Sequence, residues 1–194
     1  MECVVLGLGS NKSYGGKEPV ALLAEACAAL DAVLKDCVFS SVYKTGALYV
    51  TDQDDFYNMV VRGMYEGTPR TLLEDVHIIE GSLGRNRARE FRNGPRPLDI
   101  DIELFGNIQV HESDLIIPHE RLLERAFVLK PLVEILRKSA DGRSRDTSNY
   151  EHALEAVEHQ RIEKFLDSAD LKALVAACSG TSGARTSVSR TRKA

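Results

Sequence analysis

The stretch Leu98-Asp99-Ile100-Asp101-Ile102-Glu103-Leu104 constrains this chain more than any other. Strict alternation of apolar and acidic residues is the period of a β-strand, which sends successive side chains to opposite faces of a sheet. Leu98, Ile100, Ile102 and Leu104 are then expected on a core face, with three carboxyls on the other. Asp99 and Asp101 come about 6.6 Å apart on that second face. Two hard-oxygen carboxylates so placed suit one or two Mg²⁺, an ion that usually takes one or two protein carboxylates plus substrate phosphates. A strand with one solvated polar face would show the same pattern, and Glu103 is expected to be a solvated charge of that kind.

The residues just upstream shift the weighting between those readings. Residues 1–84 hold 6 basic and 12 acidic side chains, whereas residues 85–96 hold five arginines (Arg85, Arg87, Arg89, Arg92 and Arg96) and one Glu. Guanidinium forks are the preferred bidentate partners of phosphate oxygens. Paired carboxylates for a metal beside a block of arginines are the equipment of phosphoryl transfer, where catalysis is mainly positioning and charge neutralisation. His119 follows Pro118 at an expected helix start, where an imidazole N–H can meet a phosphate oxygen or simply cap the helix. Asn58 interrupts the apolar run Phe56–Tyr65. It either satisfies backbone groups or reads the edge of a heterocycle, with Phe56 on the same face as a stacking plane.

Glycine patterns exclude two common nucleotide sites. Gly7-x-Gly9 lacks the third glycine of the dinucleotide fingerprint, because Lys12 stands there, and Gly16-Lys17 lacks its Walker partners, with Asn11 and Glu18 in their places. A nucleotide site in this chain is therefore of another kind.

Hydrophobic periodicity supplies the architecture. Cys3–Leu8 reads as a buried strand, Glu18–Lys35 as a helix, Val38–Tyr43 as one strand, Thr45–Asp55 as an exposed loop and Phe56–Tyr65 as a strand. Thr68-Pro69 opens a helix to about Leu83. Pro97–Phe105 is a strand that turns at Gly106-Asn107 into a short strand ending at Val110, and Pro118–Leu136 is mostly helical. Arg137–Asn149 is polar, and Tyr150–Ala177 holds one or two helices. Strand, helix, strand, strand, helix, strand is a split βαβ order. It points to the α+β class, a ferredoxin-like sandwich with helices on one face of a mostly antiparallel sheet.

The 194 residues, 43% hydrophobic, suffice for one domain with a core of its own. We expect that domain over 1–165, a helical extension over 166–178 and a disordered basic tail over 179–194, where Ser, Thr and Gly dominate. No apolar run approaches the roughly 18 residues of a membrane span. The opening MECVVLGLGSN has no basic n-region, and the four cysteines form no CxxC pair, so a cytoplasmic protein with reduced thiols is expected.

Several stretches together resemble a known family, 6-hydroxymethyl-7,8-dihydropterin pyrophosphokinase of folate biosynthesis: LGLGSN (6–11), VYKTGAL (42–48), DFYNMVV (55–61), GRNRAREFRNGPRPLDIDIELFG (84–106) and IIPHERLLERAFVLKPL (116–132). The resemblance implies transfer of the pyrophosphoryl group of ATP, the co-substrate, to the hydroxymethyl oxygen of the pterin, releasing AMP with the help of two Mg²⁺. Asp99 and Asp101 carry over as metal carboxylates, and Arg85 and Arg96 as catalytic arginines on the phosphates. Glu80, Arg87, Arg92, His119 and Arg125 fall where the family binds ATP. Thr45, Gly46, Leu48, Phe56, Asn58 and Phe127 fall where it binds the pterin, the two rings sandwiching it. Asn93 stands where many members carry an aromatic, with Phe91 nearby. Small-molecule substrates, a monomer and no nucleic-acid or membrane partner are expected. The alternatives are a member of the family with lost activity or an altered substrate, and a ferredoxin-like RNA-binding module, against which the pI of about 5.8 argues.

Overall fold

A computed structural model of the chain describes residues 1–48, 52–88, 90–91, 94–137 and 147–181. In chain order its elements are β1 (Glu2–Ser10), α1 (Pro19–Asp31), β2 (Lys35–Phe39), β3 (Val42–Thr45), β4 (Phe56–Tyr65), α2 (Pro69–Ser82) and β5 (Asp99–Phe105). They continue with β6 (Val110–Glu112), β7 (Leu115–Ile117), a 3₁₀ turn (Leu122–Glu124), α3 (Ala126–Arg137), α4 (Ser148–Ala156), β8 (Ile162–Leu166) and α5 (Ser168–Thr181).

The main sheet runs β5-β1-β4-β3-β8, and β2 also pairs with β4. Every pairing is antiparallel. This is the expected split βαβ order, with α1 and α2 as its crossovers. Pro at the first turn starts both helices, and Thr68 and Thr71 close a reciprocal cap on α2.

Residues of α1, α2 and α5 share one buried cluster with Leu6, Leu8, Met59, Ile100 and Ile102 of the sheet. On the opposite face Val5 and Val60 pack against Leu132 and Ile135 of α3. Helices therefore cover both faces rather than one, because α3 carries its own apolar stripe and needs a surface to bury it on.

Five sequence expectations need correction. The single strand over Val38–Tyr43 is two, since Ser40 and Ser41 interrupt it: the Ser40 hydroxyl accepts from Val60 N–H at 2.9 Å, replacing a ladder bond with a side-chain one. The strand ending at Val110 starts a hairpin of β6 with β7 and does not return along β5. The helix over Pro118–Leu136 is broken by Arg125, whose backbone is extended, leaving a 3₁₀ turn before α3. Within Tyr150–Ala177 lies a strand, β8, with only weak burial contrast because it is the edge of the sheet. The last helix reaches Thr181 and puts Leu171 and Val175 into the main core; the rest of the expected tail, 182–194, lies outside the described residues.

Candidate active site

A cavity of about 310 Å³ opens on the α3 side of the sheet, at the ends of β1, β4 and β5. Asp99, Asp101 and Glu103 line it from β5, as the period of a strand requires. The alternation then breaks. A register shift between β1 and β5 pairs Leu6 with Ile102 and Val5 with Leu104, so Glu103 is the extra residue of a bulge. Leu104 consequently packs with the α3-side cluster, and Phe105 takes the place expected of it in the main core.

Gly7 and Gly9 of β1 line the cavity between the two strands that supply its side chains. A Cβ on Gly7 would stand 2.8 Å from Glu103 Oε1, and one on Gly9 2.8 Å from Asn58 Oδ1. The pair that fails as a dinucleotide fingerprint thus makes room for side chains of β5 and β4 to lean over β1.

Arginines gather at the carboxylate end. Arg96 Nη1 donates to Asp99 Oδ2 at 2.6 Å, and Arg85 Nη1 donates to Asp99 Oδ1 and to Leu98 O. Burial alone would push the Asp99 carboxyl up, but Arg85 and Arg96 outweigh it and hold the group below the usual carboxylate range. Asp101 meets Arg125 Nη1 at 3.4 Å. Burial, then the neighbouring Asp99, raise its carboxyl to about 7; its side chain is 40% exposed, so water screens part of that push.

Glu80 lies behind the arginines rather than on the cavity wall. It is 1% exposed, and its oxygens accept from Ile100 N–H at 2.8 Å, Arg85 at 3.1 Å and Arg87 at 2.6 Å. Its carboxylate reaches the cavity only through these two arginines. Arg87 lines the cavity with its side chain 52% exposed. Arg92, Arg89 and Asn93 lie outside the described residues.

His119, Arg125 and Phe127 form the opposite wall. His119 N–H donates to Glu103 O at 3.0 Å, its Nδ1 accepts from Arg121 N–H at 3.1 Å, and its Nε2 faces Arg125 Nη1 at 3.5 Å. Burial and then Arg125 lower the imidazole to about 4, so the ring is neutral. Glu103 is the clearest departure from expectation. It is fully buried, neither carboxylate oxygen has a hydrogen-bond partner, and burial followed by Asp101 pushes its acid to about 8.

Thr45, Gly46, Leu48, Phe56, Asn58 and Phe127 all line the other end. Asn58 Nδ2 donates to Thr45 Oγ1 at 2.7 Å across the β3–β4 pair, fixing the amide plane. Asn11 joins the two ends. Its Oδ1 accepts from Arg96 N–H at 2.9 Å, while its Nδ2 donates to Gln53 Oε1 and Asp54 O at 3.1 Å. The sequence reading assigned no role to Asn11 or Gln53; the Gly-Ser-Asn ending of a buried strand is the only local signal for either. The cavity therefore has one end of carboxylates and guanidinium groups and a half-apolar end with two rings and an oriented amide.

The sequence model of the 7,8-dihydro-6-hydroxymethylpterin-pyrophosphokinase family matches residues 5–137. The chain belongs to this family. Members are ATP-dependent pyrophosphokinases, transferases of folate biosynthesis. Among relatives, the 2-amino-4-hydroxy-6-hydroxymethyldihydropteridine pyrophosphokinase of Methylorubrum extorquens is 45% identical over 132 residues, 67% of this chain and 80% of that protein. The enzyme of the same name from Bacillus subtilis is 40% identical over 133 residues, 69% of this chain and 77% of that protein. The mitochondrial folate synthesis bifunctional protein of Arabidopsis thaliana is 44% identical over 115 residues, 59% of this chain but 20% of that protein. The chain thus spans a minor part of its bifunctional relatives. A solved HPPK-DHPS structure in complex with substrates superposes with a TM-score of 0.59 at 16% identity, covering 81% of this chain and 44% of that one, a likeness of fold.

Proposed function

We propose that this chain transfers the β,γ-pyrophosphoryl group of ATP to the 6-hydroxymethyl oxygen of 6-hydroxymethyl-7,8-dihydropterin. The pterin oxygen bonds to the β-phosphorus as the bond from that phosphorus to the α–β bridging oxygen breaks, and AMP leaves with the bridging oxygen. One observation carries the reading: a single cavity joins the Asp99–Asp101 carboxylates and their arginines to Phe56, Asn58 and Phe127. A phosphate-binding end and a heterocycle-binding end in one space are what a donor nucleotide and a flat acceptor require.

The residues fit magnesium. Asp99 and Asp101 are hard oxygen donors two apart on one strand face. No larger group of His, Cys, Asp and Glu suited to a metal occurs among the described residues, so phosphate oxygens and water would complete the shell. We assign both aspartates as the ligands of two Mg²⁺, which when bound supply neutralisation of phosphate charge. Arg85 and Arg96 then clamp the transferred group, and Arg87, Arg92 and Arg125 bind the remaining phosphate oxygens. Glu80 sets Arg85 and Arg87. The neutral His119 ring stands beside Arg125 as a further partner for the phosphates. Phe56 and Phe127 hold the pterin between their faces, Asn58 reads its edge, and Thr45, Gly46 and Leu48 close the pocket around it.

We place the pyrophosphokinase domain at 1–165 with the last helix as an extension, and take the protein to act as a cytoplasmic monomer on small molecules alone. Reduced thiols support the compartment, since no disulfide joins the four cysteines. Among the described residues no helix is long and apolar enough to cross a membrane. The three acids facing the cavity disfavour a nucleic-acid backbone there. Mass spectrometry of the pterin after incubation with ATP and Mg²⁺ tests the reading. A gain of two phosphoryl groups is expected, and a gain of one, or none, rejects it.

A further inference from the structure

Arg125 has a task that conflicts with its place in the chain. It is the residue at the N-cap of α3: its carbonyl accepts from Val128 N–H at 3.1 Å and from Leu129 N–H at 3.0 Å, and its backbone is extended. Good N-caps carry a side-chain acceptor for the first exposed amides, and a guanidinium has none. Its side chain is instead turned to the cavity, toward Asp101 and over the Phe127 ring at 5.5 Å.

The missing acceptor comes from far along the chain. Gln160 Oε1 accepts from Ala126 N–H at 2.9 Å, and Gln160 Nε2 donates to Glu124 O at 2.8 Å. One side-chain amide thus grips the backbone on both sides of Arg125. The adjoining residues are anchored to the opposite wall of the cavity. Arg161 Nη2 donates to Asp55 Oδ2 at 3.0 Å beside Phe56, and Ile162 pairs with Thr45. Ile162 also packs with Ala126 and Leu129 of α3. Residues 160–162 lie beyond the stretch matched by the family, which ends at 137.

We propose that Gln160 is a positioning residue for nucleotide binding: it supplies the cap that Arg125 cannot, and so holds Arg125 on the phosphates and Phe127 on the pterin. The inference rests on the functional reading above. Capping in trans lets one position serve both as a helix start and as a phosphate ligand. It makes residues 160–162 part of the site although none of them lines the cavity.

The test is a double-mutant cycle on the binding of α,β-methylene-ATP with Mg²⁺, using Gln160→Met, which keeps the length of the side chain and removes both hydrogen bonds, and Arg125→Ala. In the Arg125-containing chain Q160M is expected to weaken binding about fivefold, the factor that corresponds to losing one N-cap. In the R125A background the same substitution is expected to change binding by less than about twofold, because the residue it positions is gone. Equal weakening in both backgrounds would reduce Gln160 to a general stabiliser and overturn the proposal, as would undiminished binding in Q160M. Should Q160M not fold, Gln160→Asn, which draws the amide back by one methylene, goes through the same cycle. An unmodified chain that binds no α,β-methylene-ATP would overturn the functional reading, and this inference with it.

Discussion

Asp99 and Asp101 project from one face of β5 into one cavity, yet their charges are set in opposite directions. Asp99 is gripped by Arg85 and Arg96, whereas Asp101 has Arg125 at 3.4 Å and the charge of Asp99 beside it. Removing each charge therefore has a different structural cost. Asp99→Asn takes the shared carboxylate charge away from Arg85 and Arg96 and should lower stability by about 1–3 kcal/mol. Asp101→Asn relieves repulsion and should leave stability unchanged or slightly higher. Both should abolish turnover. Urea unfolding distinguishes the pair, and equal midpoints would contradict this account of Asp99.

Glu103 is a standing cost. Its buried carboxyl has no hydrogen-bond partner, and such a group is worth about 1–3 kcal/mol against folding. Glu103→Met, of similar length and apolar, should raise the unfolding free energy of the ligand-free chain by that amount. Gly7→Ala should do the reverse, since its Cβ would press on Glu103 Oε1 at 2.8 Å. A destabilised E103M chain would mean that the carboxyl is satisfied in solution.

His119 fixes a pH dependence. Its ring falls from an ordinary 6.5 to about 4 on folding, so between those values the unfolded chain binds the more protons. Its contribution to stability is thus present above pH 6.5 and is lost as pH falls toward 4. Subtracting the stability–pH profile of His119→Gln from that of the unmodified chain isolates this term. The difference should shrink steadily across that window; a flat difference would show that His119 titrates normally.

The two ends of the cavity should fail separately. Asn58→Ala removes the amide oriented by Thr45 and should weaken pterin binding by about 1–3 kcal/mol, while α,β-methylene-ATP affinity stays within about twofold. Fluorescence titration with the pterin and calorimetry with the nucleotide read the two. Equal loss of both ligands would argue against a divided cavity.

What could be read from the residues alone follows the range of the interactions. Period-2 alternation put Asp99 and Asp101 on one face because that is a property of a single strand, and the Phe56–Asn58 pair was legible in the same way. Glu103 was misjudged because its burial depends on Gly7, almost a hundred positions away, and on a bulge that no local pattern announces. The contacts of Glu80 with a backbone amide of β5 and with Arg85 and Arg87 are likewise set by tertiary placement. β8 and the grip of Gln160 were hidden for a related reason. An edge strand has little burial contrast, and a cap supplied from another segment leaves a helix start that looks poorly capped in sequence. The arginine stretch showed its charge plainly, while which guanidinium meets which acid is a matter of tertiary placement.

The central claim is pyrophosphoryl rather than phosphoryl transfer, and the nucleotide product decides it. The measurement is chromatography of adenine nucleotides after incubating the chain with ATP and Mg²⁺, with and without 6-hydroxymethyl-7,8-dihydropterin. The account predicts AMP, formed only when the pterin is present and in equal amount to the pterin consumed. ADP as the product, or AMP released at the same rate without the pterin, would contradict it.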